Sequence, residues 1–276
     1  MTTFPDGFLW GVATSAYQIE GAVHADGRGP SIWDAFAHGQ GTILHGDTGD
    51  IAADHYNRVD DDLDLLERLG VQAYRFSIGW PRVQPDGKGP LNPRGVEFYR
   101  RLLDGLAQRG IESMVTLYHW DLPLALDDDG GWLNRDTAHR FADYAALMVE
   151  QVGDLATRWV TLNEPWCSAF LGYYEGRFAP GHRNYDEAYT ATHHLLLAHG
   201  LGVVAMRAAL PSAEIGLTCN LADIAAAGTD DGAAARAADM EENRLFLDPV
   251  FLGSYPFDAP ELMRDERLVR SGDLAV

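Results

Sequence analysis

The sequence has few cysteines and no long apolar run, and each shortage excludes a class of protein. Its two cysteines, Cys167 and Cys219, form no disulfide framework and match no metal-ligand spacing. No apolar stretch approaches the length of a membrane span. The first residues also lack the charged and then apolar run of a signal peptide. We therefore expect a cytoplasmic protein that has no metal site and no membrane partner.

Basic residues are also scarce. The 276 residues include 21 Lys and Arg against 41 Asp and Glu, which gives a formal charge of −20. A surface of this sign repels nucleic acids, anionic membranes and polyanionic substrates, so a small neutral substrate remains open. A hydrophobic content of 46% is enough to fill a large core, and it excludes a disordered chain.

Short apolar strands alternate with amphipathic helices along the chain, which is typical of a parallel sheet with crossover helices. The sequence predicts strands over 8–13, 71–78, 113–117, 160–162 and 214–220, and helices over about 59–69, 94–109, 135–152 and 185–209. It predicts a long ordered loop over 24–56, held in place by Trp33 and Phe36. A surface excursion is expected over 222–240, and a short polar helix after Pro256.

Such a sheet can be doubly wound or can close into a barrel, and the residues at the ends of the predicted strands distinguish the two. A doubly wound sheet would place a Gly-rich phosphate loop after its first strand, and none is present. The strands instead end in polar or aromatic residues: Gln18, Trp80, His119-Trp120, Asn163-Glu164 and Asn220. A (β/α)8 barrel builds its site in this way. We predict one α/β domain over 1–276, a (β/α)8 TIM barrel of which about the first five β/α units are present.

Glu164 is the strongest candidate for a catalytic residue. The buried strand 160–162 ends in Asn163-Glu164-Pro165, because proline cannot donate to a sheet and disfavours helical geometry in the residue before it. Trp159 and Trp166 flank this turn, and apolar rings favour the protonated form of a carboxyl group, as a general acid requires. A surface glutamate that opens a helix is the alternative, and the two tryptophans make it the weaker one.

Other charged and polar residues have open or structural interpretations. Arg75 lies in an apolar strand, where it either pairs with a structural acid or braces a catalytic carboxylate. Asp60–Asp62 resemble a metal cluster, but consecutive helical residues point in different directions, so we assign them to the first turn of a helix. Cys167 is interpreted as a small wall residue. A metal site is one interpretation of His193, His194 and His199, but they lack a carboxylate at helical spacing, so we predict that they cap or pack a helix.

Four motifs resemble glycoside hydrolase family one. They are Phe8-Leu9-Trp10-Gly11 with Ser15 to Gly21, Tyr74 to Ile78 with Trp80, Tyr118 to Pro123, and Thr161 to Pro165. The resemblance covers essentially the whole chain. It implies a retaining β-glucosidase that acts on a small neutral β-glycoside and needs no cofactor. It implies that Glu164 is the general acid/base. The other residues to which it gives roles are Gln18, His119, Trp120 and Asn163 in the sugar pocket, Asn220 on the aglycone side and Arg75 beside the nucleophile.

The chain departs from the family pattern towards its carboxyl end. The family nucleophile is a glutamate in a Glu-Asn-Gly motif, whereas the one Glu-Asn pair here, Glu242-Asn243, continues into Arg244. We therefore expect the amino-terminal portion of such an enzyme, which folds properly only with a complementing carboxyl-terminal fragment. One alternative is a truncated or split remnant that at most binds sugars. The other is a 6-phospho-β-glycosidase, which the acidic composition does not favour.

Overall fold

The structure, a computed structural model, describes residues 4–156, 158–227 and 232–276. Within these ranges five parallel strands form one sheet, in the order in which they occur along the chain. The strands are β1 (Gly11–Ala13), β2 (Ala73–Ser77), β3 (Glu112–Tyr118), β4 (Arg158–Asn163) and β5 (Glu214–Thr218). Because all five run in one direction, their carboxyl ends lie at the same edge of the sheet.

Helices connect each strand to the next. The α-helices are α1 (Ala16–Ile19), α2 (Ile32–Ala37), α3 (His55–Leu69), α4 (Trp80–Val83), α5 (Pro93–Gln108), α6 (Leu124–Asp128), α7 (Asp136–Val152), α8 (Tyr185–Ala209), α9 (Ala233–Asp239) and α10 (Leu245–Leu252). Two π-helical segments, Cys167–Tyr174 and Met240–Arg244, add to these. None of the described helices combines the length and the apolarity that crossing a membrane requires.

The core lies between the sheet and its crossover helices. Helices α7 and α8 pack against one another, and α5 packs against α7 and β3. Leu106 on α5, Val115 on β3 and Phe141 on α7 are completely buried in one apolar cluster. Consecutive parallel strands joined by helices are the repeating unit of a (β/α)8 barrel. The α/β prediction is therefore confirmed, with five β/α units in barrel order.

Two predictions for irregular segments are wrong. The segment 24–56 contains α2, which begins in a capping box: Ser31 Oγ accepts from the Asp34 backbone N–H, and the Asp34 carboxylate accepts from the Ser31 backbone N–H at 2.6 Å. These reciprocal bonds satisfy N–H groups at the start of the helix. The segment after Pro256 forms 3₁₀ turns at Glu261–Arg264 and Asp273–Ala275, not a polar α-helix. Of the predicted excursion over 222–240, residues 228–231 lie outside the described residues.

The assignment of Asp60–Asp62 to the first turn of a helix is also wrong, because α3 begins at His55 and has no acid in its first turn. Each aspartate bonds to a different group. The pairs are Asp60 with Arg101, Asp61 with Arg58, and Asp62 with His55. In the described residues, no group of three or more His, Cys, Asp or Glu side chains is placed to hold a metal ion.

A buried ion pair joins the segments that follow β1 and β2. Arg82 Nε donates to Glu20 Oε2 at 2.7 Å, and the two residues are 1% and 4% exposed. The hydroxyl of Tyr99 donates to the other carboxylate oxygen of Glu20 and accepts from the Gly79 backbone N–H. The Arg82 guanidinium also lies over the ring of Tyr56, 4.2 Å from its centroid. This cluster fixes the two loops at the carboxyl edge of the sheet.

Candidate active site

A chain of hydrogen bonds links three of the predicted site residues, which lie within β2, directly after β3 and at the end of β4. Arg75 Nη2 donates to Asn163 Oδ1. Asn163 Nδ2 lies 3.2 Å from His119 Nε2. An amide nitrogen can only donate, so Nε2 is the acceptor and the imidazole proton is on Nδ1. The three side chains therefore fix one another's orientation.

His119 is neutral in this arrangement. Burial, with a smaller contribution from the positive charge of Arg75, lowers its pKa to about 4. Its Nδ1 is buried and has no hydrogen-bond partner in the described part of the chain. A buried donor without a partner is costly unless a ligand satisfies it. The His119 ring is therefore a candidate for binding a hydroxyl group.

The contacts of Arg75 bear on its two interpretations, a structural ion pair and a brace for a catalytic carboxylate. Among the described residues no acid forms an ion pair with it, and Nη1 donates instead to Thr218 Oγ1 at 3.3 Å. Burial lowers the pKa of Arg75, and the nearby negative charge of Glu164 opposes that shift. Arg75 thus braces Asn163, the residue next to the candidate general acid. The alternative of a structural acid partner is not supported.

Glu164 occupies an unusual turn at the end of β4. Its φ is +47°, and its backbone N–H donates to the Thr218 carbonyl at 2.8 Å. Trp120, which follows β3, has a φ of +80°. Residues other than glycine rarely adopt positive φ, and such residues cluster at functional sites. Side chains on either side of Glu164 are buried, whereas Glu164 itself is only partly buried.

An aromatic wall stands beside this turn. Trp120 Nε1 donates to the Asn163 carbonyl at 2.9 Å. Its ring stacks on Trp33, with centroids 6.4 Å apart and an interplanar angle of 26°, and it also contacts Phe178. A cavity of about 300 Å³ is lined by Trp33 and Trp120, with Gln18 and His119 supplying polar groups. A largely apolar cavity with a few polar groups is typical of a small-molecule site.

Sequence reasoning missed two parts of this site. It interpreted Trp33 as a loop anchor. The Trp33 ring packs on Phe36 within α2 and also lines the cavity. The sequence signal for this second role was an aromatic residue in the segment after the first strand. It also missed the π-helical segment Cys167–Tyr174. That segment is almost uniformly apolar, so periodicity carries no signal. Such segments are frequent at functional sites.

The remaining predicted residues lie apart from the hydrogen-bonded chain. Gln18 is exposed, and it lines the same cavity as His119 and Trp120. Asn220 is partly buried, two residues beyond the end of β5, and does not line the cavity. A larger depression of about 880 Å³ lies between α3 and α5. Its lining residues Arg101 and Asp60 bond to each other, so it presents paired surface charges rather than a site.

Comparison with known proteins gives consistent matches over the whole chain. The family model "Glycosyl hydrolase family 1" matches residues 1–274. The "Beta-glucosidase" of Agrobacterium sp. (strain ATCC 21400) is 49% identical, over 99% of this chain and 60% of its own length. The "Bifunctional beta-D-glucosidase/beta-D-fucosidase" of Bifidobacterium breve is 50% identical, over 98% of this chain and 60% of its own length.

Solved structures agree with these sequence matches. The structure "Beta-glucosidase from Thermotoga maritima in complex with castanospermine" superposes with a TM-score of 0.93 at 45% identity, over 98% of this chain and 63% of that one. The chain therefore spans about 60% of the length of the curated relatives it matches.

Proposed function

Because the chain belongs to glycosyl hydrolase family 1, we propose that it carries the acid/base and sugar-binding half of a retaining β-glucosidase. The observation that carries this proposal is the Glu164 turn, with its φ of +47° beside the hydrogen-bonded chain from Arg75 through Asn163 to His119. Relatives named as β-glucosidases support the choice of substrate class. We propose that residues 1–276 form one catalytic domain together with the part of such enzymes that this chain does not span.

The proposed reaction has two steps. Glu164 protonates the glycosidic oxygen while a carboxylate nucleophile attacks the anomeric carbon, which breaks the bond to the aglycone and forms a glycosyl–enzyme ester. Glu164 then removes a proton from water, which attacks the same carbon and releases the sugar with its configuration retained. We assign the nucleophile to a glutamate outside this chain, because the Glu-Asn-Gly motif is absent from it. The chemistry requires no metal or organic cofactor.

The sugar-binding roles follow from the chemistry of the side chains. Gln18, Asn163 and His119 can bond to the hydroxyl groups of an uncharged sugar, and the indole of Trp120 offers an apolar face to its C–H groups. The neutral His119 suits such a ligand, because an imidazolium would be desolvated without a counter-charge. We place Asn220 on the aglycone side, since it lies after β5 and outside the cavity.

Several observations bear on the substrate and on the partners of this protein. The name of the Bifidobacterium breve relative supports tolerance for β-fucosides as well as β-glucosides. A formal charge of −20 disfavours a 6-phospho sugar and nucleic acid. Exposed apolar residues at β1, among them Phe8 and Trp10, support a complementing carboxyl-terminal segment as a partner. The cytoplasmic location stays a prediction from the sequence.

The proposal is tested in a completed protein, in which this chain is fused to the carboxyl-terminal part of the Thermotoga maritima β-glucosidase that it does not span. Glu164→Gln should lower kcat/KM for an alkyl β-glucoside by about 10³-fold, because the amide cannot donate a proton to the leaving oxygen. The matched control is Glu150→Gln, which makes the same change at an exposed position on α7. Equal activity in the two variants would remove Glu164 from the mechanism. A completed protein that folds but has no activity would favour the non-catalytic remnant.

A further inference from the structure

The thiol of Cys167 lies against the carboxylate of Glu164. Cys167 begins the π-helical segment Cys167–Tyr174, and its backbone N–H donates to the Glu164 carbonyl at 2.9 Å. That backbone bond brings Cys167 Sγ to 3.6 Å from Glu164 Oε2. Sulfur is larger than oxygen, so this separation is a hydrogen bond of ordinary length for a thiol. In the described part of the chain, no other side chain donates a hydrogen bond to this carboxylate.

The direction of this hydrogen bond is fixed by protonation. Burial and the negative charge of Glu164 raise the pKa of Cys167 to about 12, so the thiol keeps its proton at neutral pH. Cys167 is 9% exposed, which limits the access of water to the thiol. A carboxylate without a proton can only accept. The S–H group therefore donates to Oε2.

The other groups around Glu164 leave this role to the thiol. From β2, Arg75 interacts with Glu164 electrostatically but bonds to Asn163 and Thr218. After β3, His119 is neutral because burial lowers its pKa to about 4.

We propose that Cys167 is a positioning residue for the general acid/base: its thiol holds Oε2 of Glu164 and so fixes the orientation of the carboxylate. This inference rests on the proposed function for its catalytic meaning, although the contact itself can be tested without activity. A thiol is a weak donor. It can therefore orient the carboxylate and still leave Oε1 free to exchange the proton with the leaving group and with water.

The contact is tested first in this chain as it stands, by Raman spectroscopy of the S–H stretching band at neutral pH. Cys219→Ser leaves Cys167 as the one thiol, since the sequence has two cysteines. Glu164→Ala in that background should move the band to the frequency of a thiol without a strong acceptor, and Glu150→Ala should leave it in place. An unchanged band in Glu164→Ala would overturn the proposal, whatever the enzymatic activity.

The catalytic consequence is tested in the completed protein. Cys167→Ala should lower kcat several-fold with little change in KM and should move the alkaline limb of the pH–rate profile. Cys167→Ser, which restores a donor, should recover part of both effects. A pH–rate profile unchanged in Cys167→Ala would mean that the thiol only fills space. Because Glu164→Gln is measured in parallel, retained activity in that variant would identify a failure of the proposed function instead.

Discussion

The carboxyl edge of the sheet and its lateral edge at β1 are built in opposite ways. At the carboxyl edge, side chains from β2 and β4 bond to one another, and β4 is buried along almost its whole length. At the lateral edge, all three residues of β1 are exposed. Phe4, Phe8 and Trp10 lie beside β1 and stack on one another with centroids 4.6–4.8 Å apart, at exposures of 59%, 41% and 54%.

This difference separates a region whose polar side chains bond to one another from a region whose aromatic side chains face solvent. At the carboxyl edge, Arg75, Asn163 and Trp120 find hydrogen-bond partners among residues that the chain contains, and these bonds orient their side chains. Edge strands present unpaired backbone groups, and exposed aromatic patches mark surfaces that another segment covers. The exposed rings beside β1 therefore fit the covering segment that we propose, whereas Asn163 and Arg75 already bond to each other.

The largest effect on stability is expected at the buried Glu20–Arg82 pair, which closes the loops at the carboxyl edge. Arg82→Ala should lower the free energy of unfolding by about 3–5 kcal/mol, because it leaves a buried carboxylate without its counter-charge. Arg58→Ala, which breaks the exposed pair with Asp61, should cost about 1 kcal/mol or less. Urea unfolding measures both. Equal losses would show that burial does not distinguish the two pairs.

The next largest effect is a pH dependence of the free energy of unfolding, which arises at His194 on α8, a helix that packs against β4. Burial lowers the pKa of His194 from 6.5 to about 4, and its Nδ1–H donates to the Trp132 carbonyl at 2.8 Å. Between these two pH values the unfolded chain binds more protons than the folded chain, so stability falls as the pH falls from 6.5 towards 4. His194→Gln, which keeps a donor but does not titrate, should remove about 2 kcal/mol of that loss.

The measurement is the free energy of unfolding from urea titrations across this pH range, in the parent chain and in the variant. Their difference should grow in favour of His194→Gln as the pH falls. Parallel pH dependences would contradict the assignment of a neutral, buried His194.

The smallest effect is expected at the lateral edge. Trp10→Ser should change the free energy of unfolding of this chain by less than about 1 kcal/mol, because the ring is half exposed and packs on two other exposed rings, those of Phe4 and Phe8. Trp159→Ser, in β4 and 1% exposed, should cost about 3–5 kcal/mol. In the completed protein the cost of Trp10→Ser should rise, since the edge is then covered. An unchanged cost there would contradict the need for a covering segment.

The fold could be predicted where hydrophobic periodicity is strong. The predicted helix over 185–209 matches α8, and the predicted strand over 113–117 lies within β3. The motif at Asn163-Glu164-Pro165 located the candidate site for a physical reason, since proline has to end the strand there. Polar residues at several strand ends then predicted the barrel, because parallel strands bring those ends together.

The details that the sequence did not reveal depend on contacts between distant segments. Asp60–Asp62 were misassigned because α3 begins at His55, and the partner of Asp60, Arg101, lies on α5. The tautomer of His119 depends on Asn163, 44 residues away. The positive φ of Glu164 depends on a backbone bond to Thr218, which the sheet supplies. Local patterns carry no information on any of these.

The role of Glu164 is tested most directly by azide rescue of Glu164→Ala in the completed protein, with a dinitrophenyl β-glucoside as substrate. This leaving group needs no acid, so the variant should form the glycosyl–enzyme ester and then hydrolyse it slowly. We predict that azide, which needs no general base, raises turnover by about 10²-fold or more and yields the β-glucosyl azide. No acceleration, or an α-glucosyl azide as the product, would contradict the assignment of Glu164 as the acid/base of a retaining enzyme.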